Sequence, residues 1–454
     1  MKHLIGFLLL PIMLICQNNN SYTFSEPIIV NNNPDLGLSR PQIITQNNGN
    51  PLIMWTSIDE KKIYVSRYVN GEFNEPLLIS TPDLTFYGNQ NYGPEIDSND
   101  DYIAIVLHNS IDNQNNIYVI YSTNNGESFS NPIKIIEEEA MIEGAGIKID
   151  PNNRIILTYE TLTDDGEVKQ MVGFGEFTLL DPGINFTNFT IANLNTEGVP
   201  CECCLGDIAY SNDNVVFTYR NNIDNIRNMY ACTYNNEKQI FNAGFSIDNY
   251  NQSLSVCPTE GPRSLILNNY LFTTFKSYAY SPARINVSMY DFINEGFQAQ
   301  STVDWGEGFG VQSLPKIANN NSHIAVVWKE FRYYNIDVFI SILNSYEPNG
   351  SNLEFTESNS ISSSEPNSQQ AEDFINVDIC GYDNYFHITY LDYNNRVIYY
   401  RTYFQENINN SFEYNTIKTK VKTIDLLGRD SQNKGFNIDI YNDGSIEKKY
   451  IIHK

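Results

Sequence analysis

Cys201, Cys203 and Cys204 crowd into four positions of the stretch CECCLGDIAYSNDNVVFTYRNN, and Cys257 follows further along the chain. Thiols at that density pair as disulfides or, kept reduced, form a thiolate cage for a soft metal such as Cu(I) or Zn. A free reactive thiol is the remaining use. Cys203 and Cys204 are consecutive, so a bond between them strains the backbone and each is expected to reach a different partner. A second group is cationic: Arg40, Arg220, Arg263, Lys276, Lys329 and Arg332. Guanidinium forks hold a carboxylate or sulfate bidentately, unless acids such as Glu143, Glu160, Glu202 and Glu330 claim them first. A third group is aromatic. Trp305 and Phe309 in DWGEGFG, and Tyr87 and Tyr92 in FYGNQNYG, lie on Gly-rich segments. Exposed there, they suit the apolar faces of sugar rings; buried, they plug gaps in the packing. No zinc-protease, nucleophile-triad or phosphate-loop motif occurs. With five His in the chain, an imidazole-rich metal site is not expected.

Positioning these residues falls to a repeat. Seven apolar strands end in a large side chain followed by polar residues: PLIMWTS, IAIVLHN, IILTYET, VVFTYRN, LFTTFKS, IAVVWKE and FHITYLD. Their closing residues (Trp55, Leu107, Tyr159, Tyr219, Phe275, Trp328, Tyr390) recur roughly every 52 to 62 residues, close to the longer known repeat periods. Before each lies a shorter strand, opened at Pro41, Pro94, Ala145, Gly206, Pro262, Pro315 or Asn376. After each comes a third strand, and a fourth is clearest early, in EPLLIS and NPIKII. Four strands per repeat with tight Asn/Gly/Asp turns predict an all-β fold, a β-propeller of seven four-stranded blades, with six as the alternative. The segment FSEPIIV resembles the fourth strands and is expected to close the ring in the last blade, removing an exposed edge.

Propeller geometry carries the loops leading into the inner strands, and those leaving the second strands, to one face. Arg40, Arg220, Arg263, Trp305 and Arg332 are therefore expected around one mouth. Aligning Gly206 with Pro262 sets Cys201 level with Cys257, so Cys201, Cys203 and Cys204 face Cys257 across neighbouring loops. Cys232 and Cys380 fall within strands and read as buried small apolar residues.

The chain has 454 residues, is 41% hydrophobic and 18% charged, and carries a formal net charge of −26. That charge argues against nucleic acid, whose phosphates require Lys and Arg, and against anionic lipid. Calcium is an optional addition on so acidic a surface. Residues 1–16 read as a signal peptide, with Lys2 and His3 before the apolar run Leu4 to Ile15, too short to span a bilayer. Bulky Ile15 before Cys16 favours cleavage over lipid attachment there, and no other run is long enough for a membrane span. Secretion or a cell-surface location follows, and six cysteines then remain. From Lys418 the composition turns basic, and VKTIDLLGRD followed by FNIDIYNDGSIEKKYIIHK reads as a strand plus a hairpin turning at Asn442-Asp443-Gly444.

Two resemblances bear on function. Residues 418–454, with IDLLGR, IYNDGS and a basic-apolar end, resemble the C-terminal sorting domain of Bacteroidota proteins exported by the type IX secretion machinery. That implies passage across the outer membrane, removal of a small β-sandwich-like tail, and the secretion machinery as a partner. Residues 22–415 resemble the sialidase-like, or BNR-repeat, propellers. The carriers are SRPQII at Ser39 to Ile44, the Asp-box-like turn STNNGESF at Ser122 to Phe129, and the Arg-bearing mouth. The chain departs from that family in the direct Arg40-Pro41 step, in Asn124 where the box has Asp, and in offering no matching nucleophilic Tyr. The resemblance implies an acidic glycan or similar anionic ligand at the mouth, held by Arg40, Arg220 and Arg263. A sialidase-like glycosidase or lyase acting on acidic glycans is the alternative, and a copper or zinc protein built on Cys201, Cys203, Cys204 and Cys257 the second.

Overall fold

The computed structural model describes residues 22–405, apart from short stretches of which 363–375 is the longest, and three strands between 420 and 451. The signal segment 1–16 lies outside the described residues. Seven antiparallel sheets of four or more strands follow one another along the chain, so the propeller has seven blades and six is set aside. Their innermost strands are Ser39–Thr45, Glu95–Ser98, Met141–Ile149, Asp207–Tyr210, Arg263–Leu267, Val311–Asn319 and Val377–Tyr382, one for each of blades one to seven. The first strand of each blade begins at or within a few residues of its predicted opener.

The repeat exists because each second strand is buried on both faces. In Pro51–Ser57 every residue is buried. Leu52 and Met54 pack toward blade two, while Ile53 and Trp55 pack toward blade seven. This two-residue alternation recurs around the ring, and seven apolar clusters each fill one interblade gap. The seven large residues that close the second strands are all at most 2% exposed. Each contributes roughly 1.5–3 kcal/mol through burial.

Closure uses both ends of the propeller. Tyr22–Phe24 and Ile28–Asn31 pair antiparallel with Val397–Gln405, the third strand of blade seven. Phe24 registers with Tyr403 and Ile28 with Tyr400, and Arg401 Nε donates to Ser25 O at 2.8 Å. The fourth strand of the last blade is thus supplied by the start of the chain.

Three innermost strands carry a β-bulge where they begin. The register slips between Ser39 and Gln42, between Ile142 and Ala145, and between Ser313 and Lys316. Arg40, Gly144 and Leu314, at the bulges, take φ of 52°, 74° and 52°. Bulges of this kind re-aim side chains at a sheet's end, and a left-handed non-Gly residue costs about 1–3 kcal/mol that its surroundings must offset.

Residues 420–451 form a separate three-stranded sheet, Lys420–Asp425 against Gly435–Tyr441 against Ile446–Ile451. The strand and hairpin match the sequence reading; the described strands make one sheet, not a sandwich. The turn at Asn442-Asp443-Gly444 lies outside the described residues.

Candidate functional site at the propeller mouth

The innermost strand of every blade places an ionisable or amide side chain on the axis: Gln42, Glu95, Asp97, Lys148, Asp207, Arg263, Lys316 and Asp378 line a central cavity of about 390 Å³. Above it, Arg40, Tyr92, Leu205, Glu260, Arg263 and Lys316 surround a narrower mouth of about 70 Å³. Three of the acids also stitch blades together. Asp97 accepts from Ile149 N at 2.7 Å, Asp207 from Ser264 N at 2.7 Å and Asp378 from Ile43 N at 2.9 Å.

At the mouth, two guanidinium groups from opposite parts of the ring meet one carboxylate. Arg40 Nη2 lies 2.6 Å and Arg263 Nη2 3.3 Å from Glu95 Oε1. Lys316 joins them, 3.8 Å from Asp378. Burial pushes the Glu95 carboxyl up, but Lys316, Arg263 and Arg40 outweigh it and hold it at about 2. The cations bear the converse strain: burial, then Arg263, push Lys316 below the usual lysine value. Burial likewise lowers Arg40, and its Nη1 is buried without a hydrogen-bond partner. Arg40 and Arg263 thus share the Glu95 carboxylate, while Lys316, close enough to act on it, pairs with Asp378.

Arg220 is elsewhere. It is fully buried, and its guanidinium donates to Arg227 O and Lys276 O at 3.0 Å each and to Glu260 O at 3.4 Å. It braces three backbone segments behind the mouth and does not line it. Glu260 is held by Lys276 Nζ at 2.8 Å and by Leu314 N at 2.9 Å. Glu330 is buried in blade six, accepting from Gln312 Nε2 and Trp328 Nε1 at 3.1 Å each. Arg332 ends the strand Ile324–Arg332, but its side chain, like Tyr87 and Phe309, lies outside the described residues.

Trp305 stands 59% exposed on the loop into blade six. Tyr280 meets it edge to face, centroids 4.8 Å apart, and Tyr250 meets Tyr280 at 5.5 Å. These rings come from loops of the mouth's own face and form an aromatic ledge. Tyr92, by contrast, is buried, with its hydroxyl donating to Cys203 O.

The cysteines meet as the repeat alignment requires. Cys203 and Cys257 form a disulfide across 54 residues. Cys201 Sγ lies 3.0 Å from Cys257 Sγ and accepts from the Cys204 thiol at 3.2 Å. Donation from Cys204, aided by Arg227 and Arg220 against burial, lowers the Cys201 thiol to about 6, while burial raises Cys204. Gly261 permits the approach: a Cβ there would sit 1.8 Å from Leu205 O. Cys232 is fully buried in an interblade core, and Cys380 is half-buried on the axis.

The turn at Ser122 to Phe129 keeps its own hydrogen bonds. Asn124 Oδ1 accepts from Ser122 Oγ at 2.8 Å and Ser128 N at 3.1 Å, so Asn fills the place of the box's Asp. It follows a third strand, at the end of the blade away from the mouth.

Sequence reasoning singled out Arg40 and Arg263 but missed Glu95, Lys316 and the three stitching aspartates. A signal was present. In blades two, five and six the residue just after the strand-opening Pro is charged: Pro94-Glu95, Pro262-Arg263, Pro315-Lys316.

No protein-family model matches the sequence, and no curated protein does. Among solved structures, a Hadza microbial sialidase is 11% identical, over 64% of this chain and 63% of that one, with a TM-score of 0.43. A mutant of NanB sialidase from Streptococcus pneumoniae is 10% identical over 79% and 84%, at 0.42. The polysaccharide lyase Uly1 is 9% identical over 82% and 90%, at 0.49. The chain spans a little under two thirds of the Hadza protein. A likeness this distant assigns no residue and no reaction here.

Proposed function

We propose that this propeller binds an anionic ligand at its mouth, the carboxylate or sulfate of an acidic glycan, without turning it over. The observation that carries this reading is the crowding of Arg40, Arg263 and Lys316 around Glu95, with Arg40 Nη1 buried and unpartnered. An arriving anion relieves Arg40 and Lys316, the two cations that burial disfavours, and the forks of Arg40 and Arg263 hold it bidentately. The ledge of Trp305 and Tyr280, on the same face of the propeller, offers the apolar face of a sugar ring a stacking surface. The mouth is narrow, so the charged group enters while the rest of the saccharide lies across the face.

Binding without chemistry is favoured because Glu95, Glu260 and Asp378 are each held in an ion pair at the mouth. Glycosidases need two such groups at a set separation, one of them ready to give or take a proton.

Calorimetric titration with uronate, sulfated, sialylated and neutral oligosaccharides tests the reading. Binding is expected for the anionic set alone. Arg263→Ala and Lys316→Ala should each weaken it by about tenfold or more, the loss of a charge-assisted hydrogen bond. Equal affinity for neutral and anionic sugars overturns the proposal, and release of product from any of them replaces it with the enzyme reading.

We infer also that the chain is exported, losing 1–16 on translocation and 418–454 on sorting. The supports are the signal-like start and the basic strand-plus-hairpin tail. Among the described residues no helix is long and apolar enough to cross a membrane. The mass of the mature protein in culture medium decides this: a product that retains both ends contradicts it.

A further inference from the structure

The mouth's wall holds a donor set that anion binding does not use. Four sulfur atoms from the loops into blades four and five meet there. Cys203 and Cys257 are bonded, and Cys201 and Cys204 remain as thiols packed against that bond. Cys201 Sγ is 3.0 Å from Cys257 Sγ and 3.2 Å from Cys204 Sγ, and Cys204 Sγ is 3.6 Å from Cys257 Sγ. A disulfide staple between two loops needs two cysteines; the other two have no part in it. Nor do the four separate into two distant pairs. Cys201, Cys204 and Cys257 offer ligand atoms all within 4.8 Å of one another, with no His or carboxylate in the group.

The surroundings suit negative sulfur. Arg227 Nη1 donates to Cys201 Sγ at 3.1 Å, and its own Nε is fixed on Leu254 O at 3.1 Å. Thr259 N donates to Cys257 Sγ at 3.4 Å. Arg220, buried behind the cluster, adds a second positive charge toward Cys201 and Cys204. Oriented donors to sulfur and compensating cations are the outer shell that thiolate–metal sites require. An all-sulfur set selects soft ions over Ca²⁺ or Mg²⁺.

We propose that, with the Cys203–Cys257 bond reduced, Cys201, Cys204 and Cys257 bind one soft d¹⁰ metal ion, Zn(II) or Cu(I), in the wall of the mouth. The electrons balance through an external dithiol. It gives two electrons and two protons to the Cys203–Cys257 bond and is itself oxidised to a disulfide. Zn(II) then displaces the three thiol protons of Cys201, Cys204 and Cys257, leaving a site of charge −1 beside Arg227 and Arg220. Cu(I) displaces as many protons as it takes thiolate ligands. Cys201 and Cys204 are buried and Cys203 and Cys257 half-buried, so the ion enters from the side of the disulfide. This inference is independent of glycan binding and is tested without glycan.

The test uses the full chain, reduced with a dithiol under anaerobic conditions and then desalted. ZnCl₂ is titrated against a chromophoric chelator, Cu(I) against a Cu(I)-specific chelator, and CoCl₂ serves as a spectroscopic probe. One ion per chain is expected, with the sulfur-to-cobalt charge-transfer and tetrahedral d–d bands of a site with three thiolate ligands. Cys201→Ser and Cys257→Ser should each weaken binding by about 100-fold or more, while Cys380→Ala leaves it unchanged. Arg227→Gln keeps all three ligands and should lower affinity by about 10- to 100-fold with circular dichroism unaltered. That variant keeps the test sound if a cysteine variant fails to fold. Reduced, folded protein that takes up no stoichiometric ion overturns the proposal. So does equal binding by the Cys201→Ser and Cys257→Ser variants, and so does mass mapping that finds all four cysteines locked in two disulfides that native-state dithiol treatment cannot open.

Discussion

Glu95 is the residue on which the mouth turns, because its carboxylate is the common counter-charge of Arg40 and Arg263 and lies in the field of Lys316. Removing it leaves Arg40 and Arg263 without their shared counter-charge in a partly buried site. Glu95→Gln is expected to cost about 3 kcal/mol of stability, the lower end for breaking a buried pair. Sulfate or glucuronate should restore part of that loss by standing in for the carboxylate. A variant as stable as its parent, or one indifferent to added anion, contradicts this account. The same group sets an acid response. Its folded carboxyl lies at about 2 against an ordinary 4.5, so its stabilisation is fully present above pH 4.5 and is lost as pH falls through 2. The melting curves of parent and Glu95→Gln should therefore converge between pH 4.5 and 2. Arg220 makes a different prediction. It was read from its place in the repeat as a ligand-binding residue, yet its guanidinium is committed to three carbonyls. Arg220→Met should cost about 2–4 kcal/mol by leaving those acceptors unsatisfied, seen as a lower melting temperature with anion affinity per folded molecule little changed.

The blade strands divide by how much of each is buried. Second strands bury both faces, so their apolar runs and closing aromatics were legible in the sequence. Fourth strands lie at the rim, where the outward face meets water. In blade one the fourth position, legible in the sequence as EPLLIS, breaks into Glu72–Phe73 and Leu77–Leu78, and the two leucines are exposed. The closing segment was legible because it copies a fourth strand's composition, and it pairs in blade seven as that likeness implies. Deleting residues 22–31 uncovers the edge of Val397–Gln405. The truncated chain is expected to melt lower and to associate through that strand, read by light scattering alongside thermal denaturation. A monomer of unchanged stability would mean that the ring holds without its clasp. The bulges at Arg40, Gly144 and Leu314 were not legible, since a left-handed backbone at Arg or Leu has no sequence signature of its own.

The molecule as a whole opposes the ligand proposed for it. Its formal net charge is −26, while Arg40, Arg263 and Lys316 cluster at the mouth. Screening shortens the reach of charge from roughly 30 Å at 0.01 M salt to about 8 Å at 0.15 M. The distant negative field should fade first and the contacts at Arg40, Arg263 and Lys316 last. Association of a charged oligosaccharide is therefore expected to quicken between those salt concentrations, the opposite of a nucleic-acid binder. Stopped-flow measurement decides it: an on-rate that falls with salt places the anion elsewhere than in this mouth.

By itself the sequence determined the class of fold, the seven repeats, the strand that closes the ring and the encounter of Cys201, Cys203 and Cys204 with Cys257. All of these rest on periodicity and on burial along single strands, which are local. Only the tertiary structure decided which cations face the mouth. Arg220 leaves a second strand and Arg263 opens a first strand, and propeller geometry sends both positions toward one face, yet one points into the wall and the other onto the axis. That choice depends on the carbonyls of Arg227, Lys276 and Glu260 around Arg220 and on Glu95, three blades from Arg263. Partners that distant along the chain leave no mark on the spacing of residues, because only the closed ring brings them within reach of one another.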